Sequence, residues 1–172
     1  MVNFLVHHLP FPSHNLSMHV VLVEPEIPPN TGNVARLCAA TGARLHLIEP
    51  LGFRLEDKDL KRAGMDYWKH VEWTKWPNWQ VFLEHVDPAG NIWFVESDGP
   101  RSYSEVTYGQ DDYLVFGRET AGLPMVLVRE HPEQWLRIPM MNQDARSLNL
   151  SNCVSIVLYE ALRQTGFAGE VR

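Results

Sequence analysis

Short apolar runs alternate with helical patterns along this chain, and that alternation limits its fold more than any other feature. Residues 19–24 form an apolar run of the length that a buried strand needs. After a loop rich in proline, residues 31–41 show a helical pattern that Gly42 ends, and residues 45–48 form a second apolar run. Two strands joined through a helix predict a parallel pair with a right-handed crossover.

The same alternation continues towards the end of the chain. Three further apolar runs predict strands at residues 92–95, 113–116 and 136–138. Short helices are predicted at residues 57–63, 81–86 and 125–130. The longest helical pattern covers residues 148–164, with Gly166 as its stop, and repeats apolar side chains at Leu150, Val154, Val157, Leu158, Ala161 and Leu162. We therefore expect an α/β domain with a mostly parallel sheet and helices on both faces.

A single domain over residues 18–172 is expected, because a chain of 172 residues is long enough for one hydrophobic core and too short for two ordinary ones. Residues 1–17 contain two prolines and three histidines without periodicity, which predicts a flexible extension. That segment lacks the basic residues of a secretory signal, and no apolar run reaches the ~18 residues of a membrane helix. We expect a cytoplasmic location and no membrane partner.

Charge and cysteine content narrow the possible functions. A net charge of −6 does not favour nucleic acid as a partner, although lysines and arginines in the first half of the chain could form a local patch. Trp73, Trp76 and Trp79 could stack on RNA bases, but packing in the core or in a dimer is the more common role. Cys38 and Cys153 belong to no metal-binding motif, so we expect buried side chains there and no metal site.

Chemistry is expected in the loops that leave the carboxyl ends of the strands, where parallel α/β sheets bind ligands. In the first of these loops Asn30 is suited to cap the following helix, and Asn30, Asn33 and Arg36 lie close together at its start. Backbone N–H groups at a helix start suit an anion such as a phosphate. On spacing alone, the more common arrangement is that both asparagines only cap the helix and Arg36 is a solvated helix residue.

Two later loops have unusual compositions. Gly117 and Gly122 bracket a polar turn after a predicted strand, and glycine lets a ligand come close to the backbone. This turn matches neither the dinucleotide-binding motif nor the P-loop motif. Within residues 138–152 a polar loop leads into a helix, where Ser147 and Asn149 are both possible caps. The loop holds more Asn and Ser than one cap needs, which indicates a further role.

Together these loops resemble the motifs of the SPOUT class of RNA methyltransferases, most closely its short tRNA wobble-nucleotide 2′-O-methyltransferases. The matching segments are E-P-E-I-P-P-N-T-G-N at 24–33 with Arg36, I-E-P-L-G-F at 48–53, F-G-R-E-T-A-G-L-P at 116–124, and R-I-P-M with S-L-N-L-S-N within 137–152. The resemblance runs from about Met18 to the C-terminus, and several segments in the right order make it specific. Arg118 is a departure, because close relatives often have proline there.

The resemblance implies a fold and a reaction that periodicity does not show. The C-terminal segment would form a deep trefoil knot, and the protein would be a homodimer. The cofactor would be S-adenosylmethionine, without a metal, and the residues that hold it would be Val95, Gly117, Ile138 and Ser147. The substrate would be the wobble nucleotide of leucine tRNAs, a cytidine or a modified uridine. The residues implied on the catalytic and substrate side are Arg36, Asn30, Glu119 and Tyr159.

Two roles for Arg36 are open under this interpretation. An arginine side chain keeps its proton because its pKa lies above ~12, so a base role would need a carboxylate such as Glu119 to help remove it. Alternatively Arg36 clamps a phosphate and stabilises developing negative charge, which is the role we favour. The resemblance also allows another tRNA position or rRNA as the substrate, and less readily RNA binding without catalysis.

Overall fold

The structure of the protein is a computed structural model. It describes residues 18–55, 68–129, 131–142, 144 and 147–171. The extension expected at residues 1–17 and the helix expected at residues 57–63 lie outside the described residues. Among the described helices, none has both the length and the apolar composition that crossing a membrane requires.

Seven strands of the described residues form one parallel sheet. The strands are β1 His19–Val23, β2 Arg44–Ile48, β3 Trp73–Trp76, β4 Ile92–Val95, β5 Arg101–Ser102, β6 Tyr113–Phe116 and β7 Trp135–Arg137. Their order across the sheet is β3-β2-β1-β6-β4-β7-β5, and each neighbouring pair is parallel. The five predicted strands are confirmed to within one residue at each end.

Two strands were not predicted, and both carry weak apolar patterns. β5 is only two residues long, so it has no periodicity to detect. β3 lies at one edge of the sheet, where half-buried Trp73 and exposed Lys75 interrupt the apolar run. An edge strand pairs on one side only, which tolerates charged side chains.

In the described part of the chain, four α-helices accompany the sheet. They are α1 Pro28–Thr41, α2 Trp79–Leu83, α3 Met125–Val128 and α4 Leu150–Gln164. A single turn of 3-10 helix, Pro132–Gln134, precedes β7. The prediction of four helices at these places is confirmed, but α2 begins two residues earlier and ends three residues earlier than expected, α3 ends two residues earlier, and α4 begins two residues later.

The start of α1 shows that Asn30 is not its N-cap, so that prediction is wrong. The helix begins at Pro28, Ile27 occupies the N-cap position, and the first turn contains proline. Proline suits this turn because its φ angle is already helical and its missing N–H would have no partner there. Asn30 is therefore inside the first turn, with only 6% of its surface exposed.

The predicted cap of the last helix is confirmed for one of its two candidates. Asn149 is the N-cap of α4, and its side chain accepts a hydrogen bond from the backbone N–H of Ser151. Ser147 lies in the loop before the helix. All six apolar positions predicted for this helix are buried.

Helices lie on both faces of the sheet, as predicted. Side chains alternate along a strand, so Leu22 of β1 packs in one core with α1 and α4, while its neighbours Val21 and Val23 pack in a second core with α2 and α3. Contacts between α1 and α4 bring the starts of these two helices to the same side of the sheet.

The tryptophans at the edge of the sheet are packing residues. Trp76 and Trp79 are buried in the second core, beside Phe82. Trp73 is half-buried, and its ring meets that of Trp68 edge-on with 4.9 Å between centroids. These contacts support packing rather than stacking on RNA bases.

Candidate functional site

A cavity of about 740 Å³ lies at the carboxyl ends of three neighbouring strands, β6, β4 and β7. Small-molecule sites commonly have volumes of roughly 300–1,000 Å³. Phe116, Val95 and Ile138, at or just after the ends of these strands, form part of its wall. Residues 96–98 and 117–122, the loop before α4 and the first turns of α1 and α4 also line it. The cavity therefore occupies the place where parallel α/β sheets bind ligands.

Six of the eight site residues implied by the resemblance line this cavity: Asn30, Val95, Gly117, Glu119, Ile138 and Ser147. The other two lie outside it. Arg36 is exposed on α1, and Tyr159 is 49% exposed on α4, with 6.4 Å between the centroids of its ring and that of Phe167.

Glu119 joins the loop after β6 to the loop before α1. Its Oε2 accepts a hydrogen bond from the backbone N–H of Glu26 at 2.8 Å. Its Oε1 accepts from the backbone N–H of Ile27 at 3.2 Å and from Nδ2 of Asn30 at 3.1 Å. Backbone N–H groups in this region were expected to suit an anion such as a phosphate. Two of them donate to the Glu119 carboxylate, so the protein itself supplies an anion here.

Asn30 is the central residue of a polar chain that also reaches α4. Its side-chain oxygen accepts a hydrogen bond from Nδ2 of Asn149 at 2.9 Å. Oδ1 of Asn149 accepts in turn from the backbone N–H of Ser151 at 2.9 Å and from its hydroxyl at 2.6 Å. Asn30 thus donates to the Glu119 loop and accepts from the cap of α4.

The turn at residues 117–122 is held closed by its own backbone. Arg118 and Gly122 exchange two backbone hydrogen bonds, of 3.0 and 2.9 Å. A Cβ atom added to Gly117 would lie 2.1 Å from the carbonyl carbon of Gly122. The two sides of the turn approach so closely that only glycine fits at residue 117.

Two further contacts attach this turn to the first loop. Arg118, the departure noted in the sequence, forms an ion pair with Glu24. Thr120 donates to Oε2 of Glu26 from its backbone N–H at 3.1 Å and from its hydroxyl at 2.7 Å. These hydrogen bonds lower the pKa of the Glu26 carboxyl below its usual value. Arg118 therefore links the loops that surround the cavity.

Glu96 is a cavity residue that the sequence analysis missed. It follows β4 directly, lines the cavity, and accepts a hydrogen bond from the backbone N–H of Leu123. Burial raises the pKa of its carboxyl above the usual value. A carboxylate immediately after the apolar run that ends at Val95 was the available signal.

The two cysteines differ in how far they are buried. Cys38 is fully buried in α1, as expected, whereas Cys153 is half-buried and lines the cavity. Burial raises the pKa of the Cys153 thiol. Among the described residues there is no group of three or more His, Cys, Asp or Glu side chains that could hold a metal ion.

The parallel sheet and its carboxyl-end cavity define a ligand-binding α/β domain. Residues 17–159 match the family model described as the SpoU rRNA Methylase family. This chain therefore belongs to that family. Membership confirms the resemblance to RNA methyltransferases that its loops indicate.

Three similar proteins support this assignment. The tRNA (cytidine(34)-2′-O)-methyltransferase of Saccharophagus degradans is 51% identical over 152 residues, which cover 88% of this chain and 97% of that protein. A solved structure concerned with the 2-OH methylation of C/U34 on tRNA has a TM-score of 0.83 and is 44% identical. The match covers 88% of this chain and 97% of the chain in that structure. An AdoMet-bound rRNA methyltransferase from Sinorhizobium meliloti has a TM-score of 0.75 and is 27% identical. That match covers 86% of this chain and 56% of the methyltransferase chain.

Proposed function

We propose that this protein transfers a methyl group from S-adenosylmethionine to the ribose 2′-hydroxyl of the wobble nucleotide of leucine tRNAs, a cytidine or a modified uridine. The observation that carries the proposal is that three separate loops meet at one cavity. Asn30, at the end of the first loop, is hydrogen-bonded to Glu119 of the second and to Asn149 of the third. The relative that is 51% identical is named a tRNA (cytidine(34)-2′-O)-methyltransferase, which supports the wobble nucleotide as the site of methylation.

The cavity fits S-adenosylmethionine in size and in chemistry. Val95, Phe116, Ile138 and Leu150 provide apolar surface suited to the adenine ring. Gly117 leaves the backbone beside the cavity without a covering side chain. When bound, the cofactor supplies a methyl group that its positively charged sulfur already activates. The AdoMet-bound structure of a family relative supports this choice of cofactor.

The protein must then align the ribose hydroxyl with the methyl group, and good alignment can lower a barrier by ~7–11 kcal/mol. Asn30 and Glu119 hold the first loop at the cavity. In the described part of the chain, the Glu119 carboxylate is bonded to Asn30 and to the backbone, which favours positioning over removal of a proton from Arg36. We therefore assign Arg36 the role of a phosphate clamp.

We propose that Arg36 and Tyr159 act at the cavity of the second chain of a homodimer. Both are exposed, on α1 and α4, and these helices pack side by side on one face of the sheet. We infer that a second copy of the chain covers this region and that Arg36 and Tyr159 contact the tRNA bound at the partner's cavity. Light scattering at several protein concentrations should give the mass of two chains.

Two further expectations belong to this proposal. The deep trefoil knot of the C-terminal segment stays a prediction. A tRNA substrate supports a cytoplasmic location.

The deciding experiment is methylation of leucine tRNAs with methyl-labelled S-adenosylmethionine, followed by mapping of the labelled nucleotide. Unmodified transcripts and native tRNA should both be tried, with a transcript that carries a 2′-deoxyribose at position 34 as control. We expect label at nucleotide 34 and none in the control. Label elsewhere, or only in rRNA, would contradict the substrate. Failure to bind S-adenosylmethionine would contradict the activity.

A further inference from the structure

Glu96 places a carboxylate directly in the wall of the cavity. One of its oxygens accepts a hydrogen bond from the backbone N–H of Leu123. Both oxygens also lie over Gly122, where an added Cβ atom would be 2.5 Å from Oε1 and 2.7 Å from Oε2. The carboxylate is therefore held between the end of β4 and the turn at residues 117–122.

Most of the charged residues that line the cavity are acidic. Its charged lining residues in the described part of the chain are Glu96, Asp98, Glu119 and Arg118. Arg118 is already paired with Glu24, outside the lining, and Glu119 is bonded to three N–H donors. Glu96 and Cys153 of α4 both line the cavity, and the Glu96 charge is a lesser cause, after burial, of the raised pKa of the Cys153 thiol. A ligand in this cavity would experience a negative field.

We propose that Glu96 is a specificity-determining residue that makes the cavity prefer the positively charged S-adenosylmethionine to its neutral product, S-adenosylhomocysteine. The inference rests on the proposed function. Both molecules share the adenosine and amino-acid groups, so shape distinguishes them by only one methyl group. They differ in charge, because the sulfonium becomes an uncharged thioether when the methyl group leaves. A fixed carboxylate in a confined cavity attracts the charged sulfonium and has no such attraction for the neutral thioether, so the ligand is held less tightly once the methyl group has left.

Calorimetric titration of both molecules into the whole protein tests the proposal. Wild type should bind S-adenosylmethionine more tightly than S-adenosylhomocysteine. Glu96→Gln keeps the size of the side chain and an oxygen that can accept from Leu123, but it removes the charge. This variant should lose roughly three- to tenfold in affinity for S-adenosylmethionine, a change typical of one nearby charge, and less than about twofold for the product.

Two controls make the result specific. Glu84→Gln removes the same charge from an exposed residue at the end of α2 and should leave both affinities unchanged. Glu96→Asp keeps the charge on a shorter side chain and should retain the preference. A similar loss in Glu84→Gln, or loss of the preference in Glu96→Asp, would overturn the assignment to Glu96.

The outcomes also separate this inference from the proposed function. If wild type binds neither molecule, the proposed cofactor is wrong and the inference fails with it. If wild type binds both molecules and Glu96→Gln leaves the ratio of the two dissociation constants unchanged, only the role of Glu96 is overturned. Thermal unfolding of each variant should give a single transition near that of wild type; if Glu96→Gln fails to fold, the preference retained or lost in Glu96→Asp decides.

Discussion

The side-chain amide of Asn149 donates a hydrogen bond of 2.9 Å to the side-chain oxygen of Asn30, a residue 119 positions earlier in the chain. The bond joins the start of α4 to the first turn of α1, and both residues line the cavity. Because Asn30 also donates to Glu119, three loops share one polar chain. Replacing any one of these side chains should therefore alter the positions of the other two.

Replacing Asn149 with alanine should weaken both the fold and the cavity. The substitution removes the cap of α4 and the bond to Asn30. We expect the free energy of unfolding to fall by about 1 kcal/mol, the usual contribution of a helix cap, and affinity for S-adenosylmethionine to fall as well. Urea denaturation and calorimetry would measure the two effects. Asn152→Ala, exposed in the same turn, is the control, and equal effects in both variants would contradict the prediction.

Glu119→Gln should destabilise the loops around the cavity. The carboxylate accepts from Glu26, Ile27 and Asn30 with two oxygens, whereas an amide offers one oxygen and an N–H₂ group that would face other donors. Hydrogen bonds to charged groups contribute ~1.5–3 kcal/mol, so we expect a loss of about 2 kcal/mol in unfolding free energy, with reduced methylation. Glu133→Gln, with 65% of its side chain exposed, should change neither measurement. Unaltered stability of Glu119→Gln would argue against this network.

The strands and the long helix were predictable because the apolar pattern of a buried element lies within a short stretch of sequence. Each residue of β1 is buried, and the apolar stripe of α4 recurs at helical spacing, so short windows contain the signal. The cavity followed from the topology of parallel strands, since their carboxyl ends lie at one edge of the sheet.

The polar contacts were not predictable in the same way. Asn30 and Glu119 are 89 residues apart, and no periodicity relates them. Asn30 was expected to be a cap because its residue type suits one, but proline at the start of α1 moved the helix start upstream. Glu96 was overlooked because one carboxylate after a strand also occurs on ordinary surfaces, and its burial depends on the turn that folds over it.

Two glycines with the same backbone conformation should respond differently to alanine. Gly122 and Gly42 have φ angles of 67° and 73°. Among the residues that the structure describes, nothing lies within 4 Å of a Cβ at Gly42, whereas a Cβ at Gly122 would push the Glu96 carboxylate away from the N–H of Leu123. Gly42→Ala should lower unfolding free energy by about 1–2 kcal/mol, the strain of a left-handed residue, without affecting cofactor binding. Gly122→Ala should also lose affinity for S-adenosylmethionine several-fold. Calorimetry on both variants checks this, and equal affinities would refute it.

Substitution of Arg36 should separate its two possible roles. If Arg36 clamps a phosphate, Arg36→Ala should weaken tRNA binding by about tenfold at low salt, with less effect at high salt. Arg36→Lys should recover part of this affinity, because lysine keeps the charge without the two-pronged geometry. Neither variant should change S-adenosylmethionine binding, since Arg36 lies outside the cavity lining. Filter binding at several salt concentrations measures the effect, and Arg163→Ala, on exposed Arg163 of α4, is the control. Substantial activity of Arg36→Lys with a lower optimal pH would instead indicate a base.

His19 and His46 form a buried pair on the neighbouring strands β1 and β2. Nε1 of Trp76 can only donate, so Nδ1 of His46 accepts from it at 3.0 Å. The proton of His46 is then on Nε2, which donates to Nδ1 of His19 at 2.8 Å. Both rings are neutral in this arrangement. Burial lowers the pKa of His19 to about 3 and lowers that of His46 well below its usual value.

This pair should make the protein sensitive to mild acid. In the unfolded chain His19 takes up a proton as the pH falls through 6.5, but in the folded protein it does so only near a pKa of about 3. The stability that the neutral ring confers is therefore complete above pH 6.5 and is lost as the pH falls towards 3, by about 1.4 kcal/mol per unit for one group. Urea denaturation from about pH 7 to about pH 5, above the range where most carboxylates titrate, would measure the slope. In His19→Asn, whose amide oxygen can still accept from His46, the slope should be smaller by about one proton; an unchanged slope would show that His19 is not the titrating group.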